Sequence, residues 1–194
     1  MPVLQPSRVV TLPEVYVHEA VIGHMRDLPA CPCEVGGWLL GYWGEDRASL
    51  LVTAATPPAS RGTPFGVRIS AAGHQHRFDQ AWQASGGLVT FLGDWHTHPG
   101  SPPYPSARDE AALVKLATGV KFGTPEPLIA IVSTPRYPWR QGSVTIGFYL
   151  GGGEESARSV EAHVTSELPA VALGVPAWRW PRDRARRGRP GARL

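Results

Sequence analysis

Gly87-Leu88-Val89-Thr90-Phe91-Leu92-Gly93-Asp94-Trp95-His96-Thr97-His98-Pro99 is the stretch whose reading decides the fold. It is an apolar run that ends in two histidines spaced i, i+2. Strand side chains alternate between the faces of a sheet, so both imidazoles project from one side and Thr97 from the other. Pro99 and the Gly-Ser-Pro-Pro-Tyr-Pro that follows cannot extend a strand ladder. The chain must turn, and what comes next is Ser106-Ala107-Arg108-Asp109 and an apolar segment. Two imidazoles and the Asp109 carboxylate brought together this way make a three-ligand site with one position open, the arrangement of a catalytic zinc.

Each piece alone has a plainer reading. Paired histidines also occur at polar strand ends. Ser106-x-x-Asp109 reads equally as a capping box opening a helix over 107–118, with Ala111, Leu113, Val114 and Leu116 toward the core. The readings are compatible, because a helix N-terminus is a rigid mount for a carboxylate. Glu34 alone is a surface acid and Ser106 alone an N-cap. With an ion on His96, His98 and Asp109, amide hydrolysis still needs a proton shuttle and a donor to the tetrahedral oxyanion. Glu34 supplies the first if its strand end lies beside the metal, and Ser106 the second.

Outward from this centre, residues 1–13 read as a leader or short strand. Tyr16–Leu28 reads as an amphipathic helix with Val17, Val21, Met25 and Leu28 on one face, placing His18 and His24 on the surface. Glu34–Trp43 reads as a buried strand after the Gly36-Gly37 pair, and Leu50–Ala55 as another. Val67–Ile69 suits a short strand. Ala72–Ala84 suits a helix with Phe78, Ala81 and Trp82 inward, on which His74 and His76 diverge. Pro127–Ser133 is a continuous apolar run suited to a central strand, Ser143–Leu150 a return strand, and Ser156–Glu167 a strand or helix. By alternation Asp94 shares the histidine face, either orienting an imidazole or standing as a solvated acid. Trp38 and Trp95 read as packing walls. Helices interleaved with strands indicate an α/β sandwich.

The 194 residues, 42% of them hydrophobic, suffice for one good core. The net charge of +3 owes much to the arginines of the last sixteen residues, so the globular part is near neutral and no nucleic-acid face is expected. Cys31 and Cys33, one proline apart, are poorly placed for a disulfide and read as reduced thiols. No signal segment and no run of roughly 18–20 apolar residues is present in the sequence, so a cytoplasmic protein without a membrane partner is expected.

Glu34, then His96-Thr97-His98-Pro99, then Ser106-x-x-Asp109 closely resembles the JAMM (MPN+, JAB) metalloprotease motif, and Glu34-Val35-Gly36-Gly37-Trp38-Leu39-Leu40-Gly41 resembles that family's opening. The resemblance implies an α/β, single-domain MPN (JAB) fold, a mixed curved sheet flanked by helices. Its boundaries would be a leader over 1–14, the metalloprotease domain over 15–155, and a C-terminal extension over 156–194 with an Arg/Pro-rich, partly disordered tail. It also implies Zn2+ on His96, His98 and Asp109, with Glu34 as general acid/base and Ser106 as oxyanion helper. The substrate class would be a peptide or isopeptide bond after the C-terminal glycine of a ubiquitin-like protein or conjugate. Ser85-Gly86-Gly87 leading into Gly93–Pro99 resembles, more narrowly, the JAB proteases of antiphage (CBASS) operons. Those act beside ubiquitin-activating and conjugating-like enzymes and a cyclic-nucleotide synthase. The alternatives are processing of a sulfur-carrier protein in cysteine or cofactor biosynthesis, and a non-catalytic MPN scaffold.

Overall fold

A computed structural model describes residues 12–44, 47–59, 62–119, 124–140, 142–152 and 155–166. Most of the leader and all of the Arg/Pro-rich tail lie outside the described residues. The described chain runs β1 (Glu14–His18), α1 (Glu19–Arg26), β2 (Gly36–Trp43), β3 (Ser49–Ala55), α2 (Gln75–Ala84), β4 (Thr90–Pro99), α3 (Ala107–Thr118), β5 (Leu128–Thr134), β6 (Thr145–Gly152), β7 (Glu155–Val160) and β8 (Ala162–Thr165). The eight strands form one mixed sheet in the order β7-β6-β5-β4-β2-β3-β1-β8. The sheet thus continues past residue 155, and β8 lies parallel to β1 at one edge. None of the described helices is long and apolar enough to cross a membrane.

Helices cover both faces. On one, Val21, Ile22 and Met25 of α1 pack with Val15, Val17, Leu39, Val52, Leu92, Trp95, Leu128, Ala130 and Val132. On the other, α2 covers Trp38, Leu40, Val89 and Phe91 through Ala81 and Phe78, and Leu113 of α3 packs on Ile129, Ile131 and Tyr149. The alternate residues of β5 therefore serve different cores, which is why its sequence is apolar without a break. Trp38 and Trp95 are both buried.

Several expectations are corrected. The helix at 16–28 begins only at Glu19, because Val15 and Val17 alternate with Tyr16 and are fully buried as strand residues. His18 caps that helix, its Nδ1 accepting from the Ala20 amide at 3.2 Å. His24 is no surface histidine: its ring stands edge-on to Trp95, its Nε2 is buried without a partner, and burial lowers its pKa. Val67–Ile69 forms no strand. Trp82 stays 49% exposed and covers Gly87 of the turn that ends α2. On α3, Leu113 is buried and Leu116 partly so, while Ala111 is exposed. His74 is buried on its own, hydrogen-bonded to Thr56 Oγ1 at 2.8 Å.

One irregularity positions the histidines. In the β2–β4 pairing, Leu39 faces Gly93 and Leu40 faces Phe91, so Leu92 has no partner. The extra residue is a β-bulge, and it reverses the facing of everything after it. Before the bulge the odd positions Val89 and Phe91 face α2. After it Trp95 faces α1, and Asp94, His96 and His98 take the opposite face. Gly93 adopts φ +148° there, and a Cβ on it would overlap the Leu128 carbonyl oxygen.

Candidate metal centre and catalytic site

Glu34 sits two residues before β2, and four hydrogen bonds hold it and its neighbour Val35. The Val35 amide donates to Thr97 Oγ1 at 3.0 Å, and the Thr97 amide donates to the Val35 carbonyl at 2.8 Å. Thr97, the residue pointing away between the two histidines, therefore fastens the start of β2 to the end of β4. On the other side the Glu34 amide donates to the Thr63 carbonyl at 2.9 Å, and the Gly62 amide donates to the Glu34 carbonyl at 2.8 Å. Gly36 pairs with His96 and leaves the space beside that imidazole clear. A Cβ at Gly36 would lie 3.0 Å from the His96 Cβ and 2.5 Å from the Trp95 carbonyl oxygen.

From the other direction α3 presents Asp109 in its first turn. Ser106 caps the helix, with its Oγ 3.4 Å from the Asp109 amide, while Asp109 Oδ2 accepts from the Ser106 amide at 2.7 Å and from its hydroxyl at 2.6 Å. The capping box and the carboxylate mount are thus the same structure. The Ser106 hydroxyl is engaged with Asp109 in this arrangement rather than free to donate elsewhere.

These elements bring all five residues singled out in the sequence together. His96 Nε2 lies 3.0 Å from His98 Nε2, 3.3 Å separates His96 Nε2 from Asp109 Oδ1, and 3.5 Å separates His98 Nε2 from Asp109 Oδ2. A carboxylate oxygen of Glu34 falls within 4.8 Å of donor atoms on both imidazoles. An ion bound tetrahedrally at ~2.0–2.1 Å needs donors about 3.3 Å apart. The observed separations bracket that edge, so the set His96, His98 and Asp109 fits such an ion. The His98 Nδ1 lies 3.3 Å from the Pro102 carbonyl, which can only accept; the ring proton belongs on Nδ1, and the Nε2 lone pair turns inward.

The electrostatics agree with a cationic centre. Burial by itself would raise the Asp109 pKa, but contacts from His96, His98 and Ser106 outweigh it and hold the carboxyl well below the usual range. Burial likewise opposes protonation of His98, yet Asp109 and Glu34 push its pKa above the ordinary value. Glu34 is 9% exposed, and burial raises its pKa against the partial offset of the two imidazoles. Beside these groups opens a cavity of about 450 Å³ lined by Glu34, Asp94, His96, Ser106, Asp109 and Ile129 among others. Asp94 shares the histidine face as alternation predicts. Its Oδ1 is buried without a hydrogen-bond partner, and burial pushes its pKa up to about 7, so it is not a solvated acid. Cys31 and Cys33 are free thiols. Two features of the site had no sequence signal: the Thr97 hydroxyl that fixes Glu34, and the Pro102 carbonyl that fixes the His98 tautomer.

Residues 17–144 match the family model described as prokaryotic homologs of the JAB domain. The chain belongs to this family. Among curated relatives, a CD-NTase/cGAS isopeptidase of Vibrio cholerae is 39% identical over 99 residues, covering 46% of this chain and 62% of the relative. A probable metalloprotease of Sinorhizobium fredii is 26% identical over 102 residues, covering 51% of this chain and again 62% of the relative. The match therefore spans less than two thirds of these relatives' length. A solution structure of a protein from Desulfitobacterium hafniense superposes with a TM-score of 0.57 at 19% identity, over 81% of this chain and 97% of that one. That likeness shows a shared fold for this JAB domain.

Proposed function

We propose that this JAB-domain protein is a zinc-dependent isopeptidase or peptidase, cleaving the bond that follows a C-terminal glycine of a ubiquitin-like protein or of a conjugate. The observation that carries the reading is the convergence of two imidazole nitrogens and one carboxylate at 3.0–3.5 Å with a second, buried carboxylate, Glu34, beside them. The donor set of two nitrogens and one oxygen suits zinc. The relatives' names, isopeptidase and metalloprotease, support the same chemistry. An intact set of this kind also speaks against a purely structural JAB scaffold.

His96, His98 and Asp109 would hold the ion, which when bound makes a water acidic enough to yield hydroxide near neutral pH and polarises the scissile carbonyl. Glu34 takes the proton of the attacking water and delivers it to the departing amine; its raised pKa keeps it exchangeable closer to neutrality than an ordinary carboxylate. The Ser106 hydroxyl, one turn before Asp109, turns from the carboxylate to donate to the developing oxyanion. The cavity next to Glu34 and His96 receives the acyl chain. We further propose, on the ground of the CD-NTase/cGAS isopeptidase name of the Vibrio relative, that the substrate is a conjugate of a cyclic-nucleotide synthase. The resemblance of Ser85–Pro99 to the JAB proteases of antiphage operons supports a setting in antiphage defence in the cytoplasm.

Two measurements on purified full-length protein test the function. Metal analysis should find about one zinc per chain, lost in Asp109→Asn. Glu34→Gln should keep the zinc and lose cleavage of a Gly-terminated ubiquitin-like fusion by roughly 10²–10⁴-fold. Retained cleavage in Glu34→Gln, or metal-free wild type, overturns the proposal.

A further inference from the structure

The turn Thr63–Gly66 touches both halves of the site, and its Phe65 and Gly66, like Arg108, line the cavity beside them. Its own geometry is tight: the Thr63 amide donates to the Gly66 carbonyl at 2.8 Å, and the Phe65 amide donates to Thr63 Oγ1 at 3.2 Å. At one end it holds Glu34 through the paired amide–carbonyl bonds of Glu34 with Gly62 and Thr63. At the other, Arg108 of α3 reaches across, its Nη1 donating to the Phe65 carbonyl at 2.8 Å. Gly66 leaves room for that guanidinium, since a Cβ there would overlap Nη1. Arg108 stands between Ser106 and Asp109 on the turn that carries both. A single side chain thus ties the backbone that aims Glu34 to the helix end that aims Asp109.

We propose that Arg108 is a positioning residue, clasping the 62–66 turn to α3 so that Glu34 and Asp109 keep a fixed separation. The assignment rests on the isopeptidase reading above for its catalytic consequence and on geometry alone for the clasp. Glu34 has no helix or mid-strand backbone of its own. It stands two residues before β2, held through Val35 by Thr97 on one side and by this turn on the other. With the turn released, its carboxylate would sweep positions outside the roughly 0.5 Å tolerance that proton transfer at a preorganised site demands. The metal ligands would stay put, since none of them bonds to the turn. The expected signature is therefore a loss of rate without a loss of metal.

The test compares Arg108→Ala, Arg108→Lys and Gly66→Ala in the full-length, zinc-loaded protein. Gly66→Ala leaves Arg108 in place and displaces its guanidinium, so it reports on the clasp by an independent route. Expected are a fall in kcat of about tenfold or more in Arg108→Ala and Gly66→Ala, KM within about twofold of wild type, and intermediate behaviour in Arg108→Lys, which retains one donor. Zinc content should not change. Amide exchange at Glu34 and Gly62 should quicken by about tenfold or more, because both protons sit in the bonds between Glu34 and the turn. A raised KM with unchanged kcat would make Arg108 a substrate contact and overturn the proposal. Unchanged exchange at Glu34 and Gly62 would overturn it too. If wild type cleaves no Gly-terminated fusion, the isopeptidase reading fails on that arm, and the exchange arm still decides whether the clasp exists.

Discussion

Replacing Gly93 by alanine tests the link between the bulge in β4 and the site most directly. Gly93 holds φ +148°, a conformation open to glycine and costly for other residues, at about 1–3 kcal/mol. The new methyl would also overlap the Leu128 carbonyl oxygen and lie 2.8 Å from the Leu128 nitrogen and carbonyl carbon. Those atoms belong to the β5 backbone at the Gly93–Leu128 pairing, so the neighbour cannot yield as a flexible side chain would. Overpacking of this kind adds about 1–3 kcal/mol. The sum, about 2–6 kcal/mol, corresponds to a Tm lowered by roughly 5–20 °C for a domain of this size. The chain could relieve the strain by expelling the bulge, but one residue less in β4 would turn the His96 and His98 side chains to the α1 face. Zinc affinity should therefore fall with stability. Thermal unfolding with and without EDTA, together with zinc titration, reads both effects. A Gly93→Ala protein with wild-type Tm and wild-type zinc affinity would refute the claim that this bulge sets the facing of the histidines.

Two further outcomes follow from hydrogen bonds and burial at Glu34. Because burial raises the Glu34 pKa, its contribution to stability is complete below the ordinary carboxylate value and is lost as pH climbs through the raised one. Glu34→Gln should then unfold at higher temperature than wild type at neutral pH in EDTA, with the gap closing in acid; a gap independent of pH contradicts this. Thr97→Val removes the acceptor of the Val35 amide and should cost about 1–3 kcal/mol. It should also slow cleavage with zinc content unchanged, and equal activity in the variant would show that Thr97 does not hold Glu34 in place.

The helix over 107–118 was legible because its cap, Ser106 with Asp109, is local chemistry that every helix start needs. The central strands β2 and β5 were legible because residues buried on both sides leave continuous apolar runs, and β4 because an apolar run leads into its alternating histidines. Errors arose where a neighbour far along the chain decided the outcome. Val17 fits a helical face that Tyr16 opens, yet parallel pairing with both β3 and β8 makes both residues strand. His24 looked polar in its helix, and only the position of Trp95, on a strand far along the chain, shows that its ring is half-buried.

The sequence alone determined what lies within a few residues: that His96 and His98 share a face, that Asp109 opens a helix beside its cap, and that Glu34 stands at the end of a buried strand. Periodicity and capping depend on backbone geometry over one or two turns, so they can be read without a fold. The tertiary structure decided which face the histidines occupy, through an unpaired Leu92 and the backbone of Gly93. It also decided that Glu34 reaches them, through the hydrogen bond of its neighbour Val35 to Thr97, 62 residues further along the chain. Bulge placement and long-range pairing depend on which strands become neighbours, and no local pattern in the chain encodes that choice.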